Sequence, residues 1–193
     1  MIIGLCGRSG SGKSTVGAYL KNCGLNYIDT DLVSREVTQK GEKCLEELCA
    51  YFGTSILNDD GTLNRRALAS SAMTDNDGYK MLNSITHKHI LARTKEKLKG
   101  NIDVIDAPLL FESGLDRDCD IIVGVIASDE DCVKRVMLRD SINRDTALAR
   151  LAKQKDNTFL RTHCDYVITN DSTPKLLEEK AETLYRMIKE KRL

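Results

Sequence analysis

Residues 7–14 read Gly7-Arg8-Ser9-Gly10-Ser11-Gly12-Lys13-Ser14 and match the phosphate-binding P-loop pattern, G-x-x-x-x-G-K-[ST], at every fixed position. A short apolar run, Ile2 to Leu5, precedes this stretch as a buried first strand would. After it, Val16, Tyr19 and Leu20 recur at the spacing of a helix that packs against a sheet. The sequence therefore predicts a strand, a phosphate-binding loop and a helix, in preference to a flexible Gly/Ser turn.

The residue types of this P-loop indicate the chemistry that it can support. Glycines let the backbone turn tightly enough for successive N–H groups to point at phosphate oxygens, and the helix start adds further N–H donors. We expect the Lys13 ammonium to reach the β- and γ-phosphates of ATP and the Ser14 hydroxyl to bind Mg²⁺. The predicted ATP-binding residues of this segment are Gly10, Ser11, Gly12, Lys13, Ser14 and Thr15.

Length and composition limit the classes of protein that this chain can belong to. Its 193 residues suggest one domain, and 29 Lys and Arg balance 29 Asp and Glu. No global charge therefore draws it to nucleic acid or to a membrane surface, and no apolar stretch approaches the roughly 18 residues that span a bilayer. The seven cysteines include no C-x-x-C motif and follow no signal sequence, which is typical of reduced thiols. We predict a cytoplasmic protein with no nucleic-acid, membrane or obligate protein partner.

Five short apolar runs have the length of buried strands, and helical patterns separate them. This alternation predicts an α/β fold of the P-loop NTPase type, a five-stranded parallel sheet with helices on both faces. Ser128 with Asp131, and Ser172 or Thr173 with Pro174, are typical of two helix starts. The five runs are residues 1–6, Leu25–Ile28, Ile102–Ile105, Asp120–Ile126 and Tyr166–Thr169.

The stretch between the second and third predicted strands, about 32–101, is too long for a single crossover and contains several helical patterns. We expect a helical insertion at the carboxyl edge of the sheet, where open α/β folds bind ligands. Such an insertion would be placed to hold a second substrate.

Two pairs of aspartates lie at predicted strands, one pair at the end of the second strand and the other within and after the third. After the second strand, a carboxylate of Asp29 or Asp31 could accept a proton from an attacking hydroxyl or help to hold a metal ion. Asp31 could equally be an ordinary N-cap of the helix that begins near Leu32. Asp103 and Asp106, at the third strand, resemble a Walker B arrangement that holds Mg²⁺ through water, although many strands end in Asp.

The segment from Lys134 to Arg161 is strongly basic, and Arg135 and Arg139 lie one turn apart on a helix face. In small P-loop kinases a mobile lid brings arginines over the triphosphate. The alternative is a pair of solvated helices whose basic residues have no function. With a lid, the predicted organisation is one domain over residues 1–193: a core of about 1–31, 102–138 and 162–193, the insertion of about 32–101 and the lid of about 139–161.

Taken together, these segments resemble the dephospho-coenzyme A kinases from the P-loop to the last strand. The P-loop is shared by many families. The Asp-x-Asp at Asp29–Asp31, the Asp-Gly-Thr-Leu-x-Arg-Arg from Asp60 and the Pro-Leu-Leu-Phe-Glu from Pro108, in this order, are much more specific. The matching segments are residues 10–15, 28–31 with Arg35, 60–68, 82–83 with His87, 108–112, 139–140 with Arg144, Gln154 and 165–170.

The resemblance implies an ATP-dependent kinase that phosphorylates the ribose 3′-hydroxyl of dephospho-coenzyme A, the last step of coenzyme A synthesis. It implies three catalytic residues: Asp31 as the base for that hydroxyl, Lys13 as a neutralising charge and Arg139 closing over the phosphates. It also implies that the insertion holds the coenzyme A precursor. The further residues that it implies are Arg144 and Asn170 for ATP, and Arg35, His87, Asp106 and Glu112 beside Asp31 for the acceptor.

Two other functions remain open from the sequence. The first is another small-molecule kinase of the same fold, acting on a nucleoside, nucleotide or sugar. The second is a nucleotide-dependent switch protein, although the Asn-Lys-x-Asp motif of guanine-binding switches is absent. The chain also departs from the resembled family at Arg8-Ser9, where a small apolar pair is common, and we expect Arg8 to place an extra charge near the phosphates.

Overall fold

The protein, described by a computed structural model over residues 1–74 and 77–191, is built around a five-stranded sheet in the order β2-β3-β1-β4-β5. β1 pairs in parallel with β3 and β4, and β4 pairs in parallel with β5. The predicted α/β class is confirmed, and every predicted strand is found with its bounds within one residue. The strands are β1 Ile2–Gly7, β2 Asn26–Asp29, β3 Asp103–Asp106, β4 Ile121–Ile126 and β5 Tyr166–Thr169.

The described residues form ten α-helices besides the sheet. They are α1 Lys13–Asn22, α2 Thr30–Val37, α3 Lys43–Phe52, α4 Arg65–Thr74, α5 Gly78–Glu96, α6 Leu110–Ser113, α7 Asp129–Asp140, α8 Arg144–Leu151, α9 Asn157–His163 and α10 Pro174–Lys189. Two predicted helix starts are confirmed, since Ser128 caps α7 and Thr173 caps α10 with Pro174 in the first turn.

Helices cover both faces of the sheet. Ile3 and Leu5 of β1 are fully buried in a cluster with Val16 of α1 and Leu184 of α10. Because successive residues of a strand point to opposite faces, Gly4 lies on the other side. There a Cβ at residue 4 would stand 2.8 Å from the Leu110 side chain of α6, so glycine lets this helix approach the strand closely.

The chain divides into two compact units, Met1–Ile28 with Lys99–Leu193, and Asp29–Leu98. The first contains most of the sheet and the P-loop. The second contains α2 to α5 and has buried apolar side chains of its own, among them Val33, Leu48, Ile56 and Ile85. It also contains a turn at residues 58–61, which the Gly61 N–H closes by donating to the Asn58 carbonyl at 2.9 Å, and the Asp60 carboxylate accepts hydrogen bonds from the Thr62 N–H and hydroxyl at 2.9 and 2.6 Å.

Candidate active site

The P-loop follows β1, the central strand, and its glycines adopt conformations that other residues rarely adopt. Gly10 and Gly12 have φ of 82° and 99°, in the left-handed region. A Cβ at Gly10 would stand 2.5 Å from the backbone oxygen of Cys132, so neither the torsion nor the space suits another residue. Gly12 is the N-cap of α1 and offers no side chain to its N–H groups. The first turn of α1 therefore presents N–H donors suited to an anion.

The predicted phosphate-binding residues lie in different environments within this loop. Ser14 is exposed, so its hydroxyl can reach a ligand. Ser11 is fully buried and its N–H donates to the Arg8 carbonyl at 3.0 Å, which closes the turn of the loop. Thr15 donates its N–H to the Gly12 carbonyl at 3.0 Å as α1 begins.

Asn170, predicted to contact ATP, is a buried support of the P-loop. Asn170 directly follows β5, and its side-chain Nδ2 donates to the Ser11 carbonyl at 2.9 Å. A Cβ at Gly12 would stand 2.5 Å from the same Nδ2. Asn170 therefore fixes the backbone that carries the phosphate-binding N–H groups.

The Lys13 ammonium pairs closely with the Asp106 carboxylate at the carboxyl end of β3. Both side chains are largely buried, with 14% and 9% of their surface exposed. The second carboxylate oxygen of Asp106 accepts a short hydrogen bond from the Tyr27 hydroxyl of β2. The structure thus brings two predicted site residues together and adds a third that the sequence analysis did not identify.

A glycine in the middle of α1 makes room for Tyr27. A Cβ at Gly17 would stand 2.0 Å from the Tyr27 hydroxyl oxygen, which no side chain could allow without displacing the tyrosine. An isolated glycine inside a helical pattern often has such a packing reason, and this was the available signal. It could not have shown which side chain fills the space.

Asp103, the other half of the Walker B-like pair, lies at the amino end of β3, away from the P-loop end of the strand. It is buried, and its carboxylate accepts hydrogen bonds from the Asn26 amide at 2.5 Å and from the N–H groups of Lys99 and Gly100. Burial raises the pKa of this carboxyl, but these hydrogen bonds outweigh it and lower the pKa below its ordinary value. Its role is to hold the chain before β3, so a metal-binding role is wrong for Asp103.

Arg8, expected to place an extra charge near the phosphates, is paired with a carboxylate in the structure. The Arg8 side chain is 7% exposed, and its Nη1 donates to Asp129 at 2.5 Å. A different arginine contacts the P-loop backbone, since Arg135 of α7 donates from Nη1 to the Gly10 carbonyl at 3.0 Å. From the sequence, Arg135 was predictable only as one residue of the basic segment.

The two predicted lid arginines are paired with carboxylates on the surface. Arg139 donates to Asp140 at 2.7 and 2.9 Å, and Arg144 donates to Glu130 at 3.1 and 2.7 Å. The hydrogen bond from Arg139 is the main reason that the pKa of Asp140 falls to about 2. More than half of each arginine side chain remains exposed, so both can exchange these partners for another anion.

The remaining acceptor-site candidate of the first unit is Glu112 of α6, which is exposed. It lines a small cavity together with Gly7, Pro108 and Phe111. The Pro-Leu-Leu-Phe-Glu segment is thereby placed beside the P-loop.

In the second unit, Asp29 and not Asp31 is the N-cap of α2. The Asp29 carboxylate accepts from the N–H groups of Asp31 and Leu32 at 2.8 and 3.3 Å. The capping alternative for Asp31 is therefore wrong, and Asp31 lies in the first turn of α2 with an exposed side chain. Arg35 is exposed near the end of the same helix, and His87 is half-buried on α5.

Within residues 1–74 and 77–191, no helix is both long and apolar enough to cross a membrane.

Comparison with known proteins adds an independent line of evidence. A family model described as dephospho-CoA kinase matches residues 1–175. A dephospho-CoA kinase of Corynebacterium efficiens is 36% identical over 188 residues, which cover 94% of each chain. One of Lactobacillus johnsonii is 33% identical over 192 residues, covering 96% of this chain and 97% of the relative. Among solved structures, TT1252 from Thermus thermophilus superposes with a TM-score of 0.82 at 30% identity, covering 98% of this chain and 97% of its own.

Proposed function

This chain belongs to the dephospho-CoA kinase family and is an ATP-dependent kinase, and we propose that it transfers the γ-phosphoryl group of ATP to the ribose 3′-hydroxyl of dephospho-coenzyme A. The products are coenzyme A and ADP. The observation that carries the proposal is the family match over residues 1–175, which includes both the P-loop and the more specific Asp-x-Asp and Pro-Leu-Leu-Phe-Glu segments. The all-thiol state of the seven cysteines agrees with a cytoplasmic location.

On the nucleotide side, the first turn of α1 and the P-loop backbone would bind the triphosphate. Lys13 would leave Asp106 and move to the β- and γ-phosphates, which present more negative charge than one carboxylate. The exposed Ser14 hydroxyl is a hard oxygen donor and fits Mg²⁺, which prefers oxygen ligands and needs few from the protein. When bound, the ion would neutralise charge on the phosphates.

On the acceptor side, Asp31 would take the proton from the ribose hydroxyl as the new bond forms. This role is supported by its position in the Asp-x-Asp segment and by the assignment of the cap to Asp29, which leaves Asp31 without a capping role. Arg35 and His87 of the insertion, with Asp106 and Glu112, would contact dephospho-coenzyme A. The insertion of about 32–101 would thus act as the acceptor-binding part of a single kinase domain.

The segment of about 139–161 would act as a lid. Arg139 and Arg144 would exchange Asp140 and Glu130 for phosphate oxygens, and Arg139 would stabilise the charge that develops during transfer. Phosphoryl transfer needs little covalent help from the protein, so positioning and electrostatics would supply most of the rate.

The test compares Asp31→Asn with Asp29→Asn, because Asn caps a helix about as well as Asp. We expect Asp31→Asn to lower kcat by roughly 10²–10⁴, the usual range for general base catalysis, with little change in thermal stability. The cap variant Asp29→Asn should keep near-normal kcat. Rates are measured at saturating ATP and Mg²⁺ with dephospho-coenzyme A, and with adenosine, pantetheine and common sugars in parallel.

Two results would count against this function. A fast Asp31→Asn enzyme would remove the carboxylate from the mechanism. Equal or faster turnover of adenosine or a sugar would make the chain another small-molecule kinase of the same fold.

A further inference from the structure

Arg8, the second residue of the P-loop, is a buried cation that donates hydrogen bonds to two helices, α7 and α8. Its Nη1 donates to Asp129 in the first turn of α7 at 2.5 Å, and its Nη2 donates to the carbonyl of Leu151, the last residue of α8, at 3.2 Å. Asp129 is 67% exposed, while the Arg8 side chain is 7% exposed. Burying a guanidinium costs free energy unless it is paired. The contacts with Asp129 and Leu151 therefore indicate that the fold fixes the position of the Arg8 side chain.

A second contact joins the same two segments. Gln154, just after α8, accepts at its Oε1 a hydrogen bond from the Ser9 N–H at 3.0 Å. Neighbouring P-loop residues, Arg8 and Ser9, thus bind neighbouring positions at the end of α8. The guanidinium also suits this place electrostatically, because the last carbonyls of a helix carry partial negative charge.

The two ends of α8 are held differently. Near its C-terminal end, Leu151 is buried with Val133 and Val136 of α7 and is bound by Arg8. At its N-terminal end, Arg144 pairs with Glu130, and about half of both side chains is exposed. Exposed ion pairs contribute little, so the Arg144–Glu130 pair can exchange partners more easily than the buried Arg8 contacts.

We propose that Arg8 is a positioning residue that fixes the C-terminal end of α8 to the P-loop and thereby sets where Arg144 can reach the phosphates of ATP. The inference rests on the proposed function only for the role of Arg144; the anchoring itself is a property of the protein alone. It adds an attachment point to the proposed lid, because α8 carries Arg144 at its N-terminal end and is bound to the P-loop at its C-terminal end.

Hydrogen exchange of the protein without nucleotide tests the anchor. Arg8→Met removes both donors and leaves no buried charge, since Asp129 is exposed and the Leu151 carbonyl still accepts from the Gln154 N–H at 3.1 Å. We expect amides of residues 147–154 to exchange about tenfold faster or more, with β-strand amides unchanged.

The exchange rates of two further variants are compared with that of Arg8→Met. Arg8→Lys keeps the charge but lacks the planar fork that serves two acceptors, so its exchange should be intermediate. Arg117→Met removes an exposed arginine of the short turn Leu115–Asp118 and should match the wild type. Unchanged exchange over residues 147–154 in both Arg8 variants would overturn the proposal.

Kinetics test whether Arg8 acts through Arg144. We expect Arg8→Met to lower kcat about 10–100-fold, because small displacements of a charge-stabilising group are costly. Combined with Arg144→Ala, the loss should be smaller than the product of the two single losses. If the double variant loses the full product of the two single reductions in kcat, Arg8 does not act through Arg144. If the wild-type chain does not phosphorylate dephospho-coenzyme A, the proposed function fails, and the exchange data still decide whether Arg8 anchors α8.

Discussion

The pair formed by Lys13 and Asp106 allows a quantitative test with the conservative change Asp106→Asn. Removing one member of a buried ion pair costs about 3–5 kcal/mol, because the other charge stays buried without its partner. Lys13 keeps 14% of its side chain exposed and can turn toward water, so we expect a loss of about 2–3 kcal/mol in the free energy of unfolding. For a chain of this length, that loss lowers Tm by about 4–12 °C.

Thermal and urea unfolding of four proteins measure this loss: the wild type, Asp106→Asn, Lys13→Met and the double variant. If the two charges stabilise each other, the double variant should be more stable than the sum of the single losses predicts, by about 1–3 kcal/mol. Asp59→Asn, in the exposed turn at residues 58–61, is the control and should stay within about 0.5 kcal/mol of the wild type.

The shift in Tm on adding ATP shows whether Asp106→Asn removes only the partner of Lys13 or also damages the nucleotide site. Asp106 competes with the phosphates for Lys13, so saturating ATP should raise the Tm of Asp106→Asn at least as much as that of the wild type. Strictly additive single losses, or an Asp106→Asn protein that ATP no longer stabilises, would refute this account of the pair.

Three further outcomes follow from contacts described above. Gly10→Ala should lower the free energy of unfolding by more than about 3 kcal/mol in urea titrations, because backbone strain adds to a Cβ 2.5 Å from the Cys132 oxygen. Gly24→Ala, with φ of 83° and nothing within 4 Å of the new Cβ, should cost only about 1–2 kcal/mol, and equal costs would contradict the clash. Arg139→Ala should lower kcat by at least about 100-fold and leave the Kd for ATP nearly unchanged; normal values of both would make the basic segment a solvated helix pair. Finally, the pKa of Asp140 is lowered to about 2, chiefly by the hydrogen bond from Arg139, so the stability that its ionised form adds is present above the ordinary carboxyl pKa and is lost as the pH falls toward 2. NMR titration of the Asp140 carboxyl with a midpoint near 4 would contradict this.

Features set by local chemistry were predictable from the sequence. The strands were found within one residue because apolar runs bounded by helical patterns leave few alternatives, and Ser128 and Thr173 cap helices through bonds to residues three positions away. The P-loop was predictable for the same reason, since its glycines and Lys13 act within a few residues of one another.

Features set by distant partners were not predictable in the same way. Two aspartates beside one helix start compete for the cap, and only the backbone geometry assigns it to Asp29. Tyr27 and Arg8 belong to the site through contacts with Asp106 and Asp129, 79 and 121 residues away in the sequence. No periodicity records such pairings, so a tyrosine in a strand looks like any core aromatic and an arginine in a P-loop looks like a phosphate ligand.

The central position of β1 has a consequence for how the chain folds. Both strands that flank β1 come after residue 100, and the Ile2 N–H bonds the Asp120 carboxylate 118 residues further on. During synthesis, the apolar first strand therefore cannot pair with both β3 and β4 until most of the chain has emerged. The unit Asp29–Leu98 is complete earlier and, by folding first, would shorten the loop that the sheet has to close. The first strand, although it is synthesised first, would then be among the last elements to be enclosed.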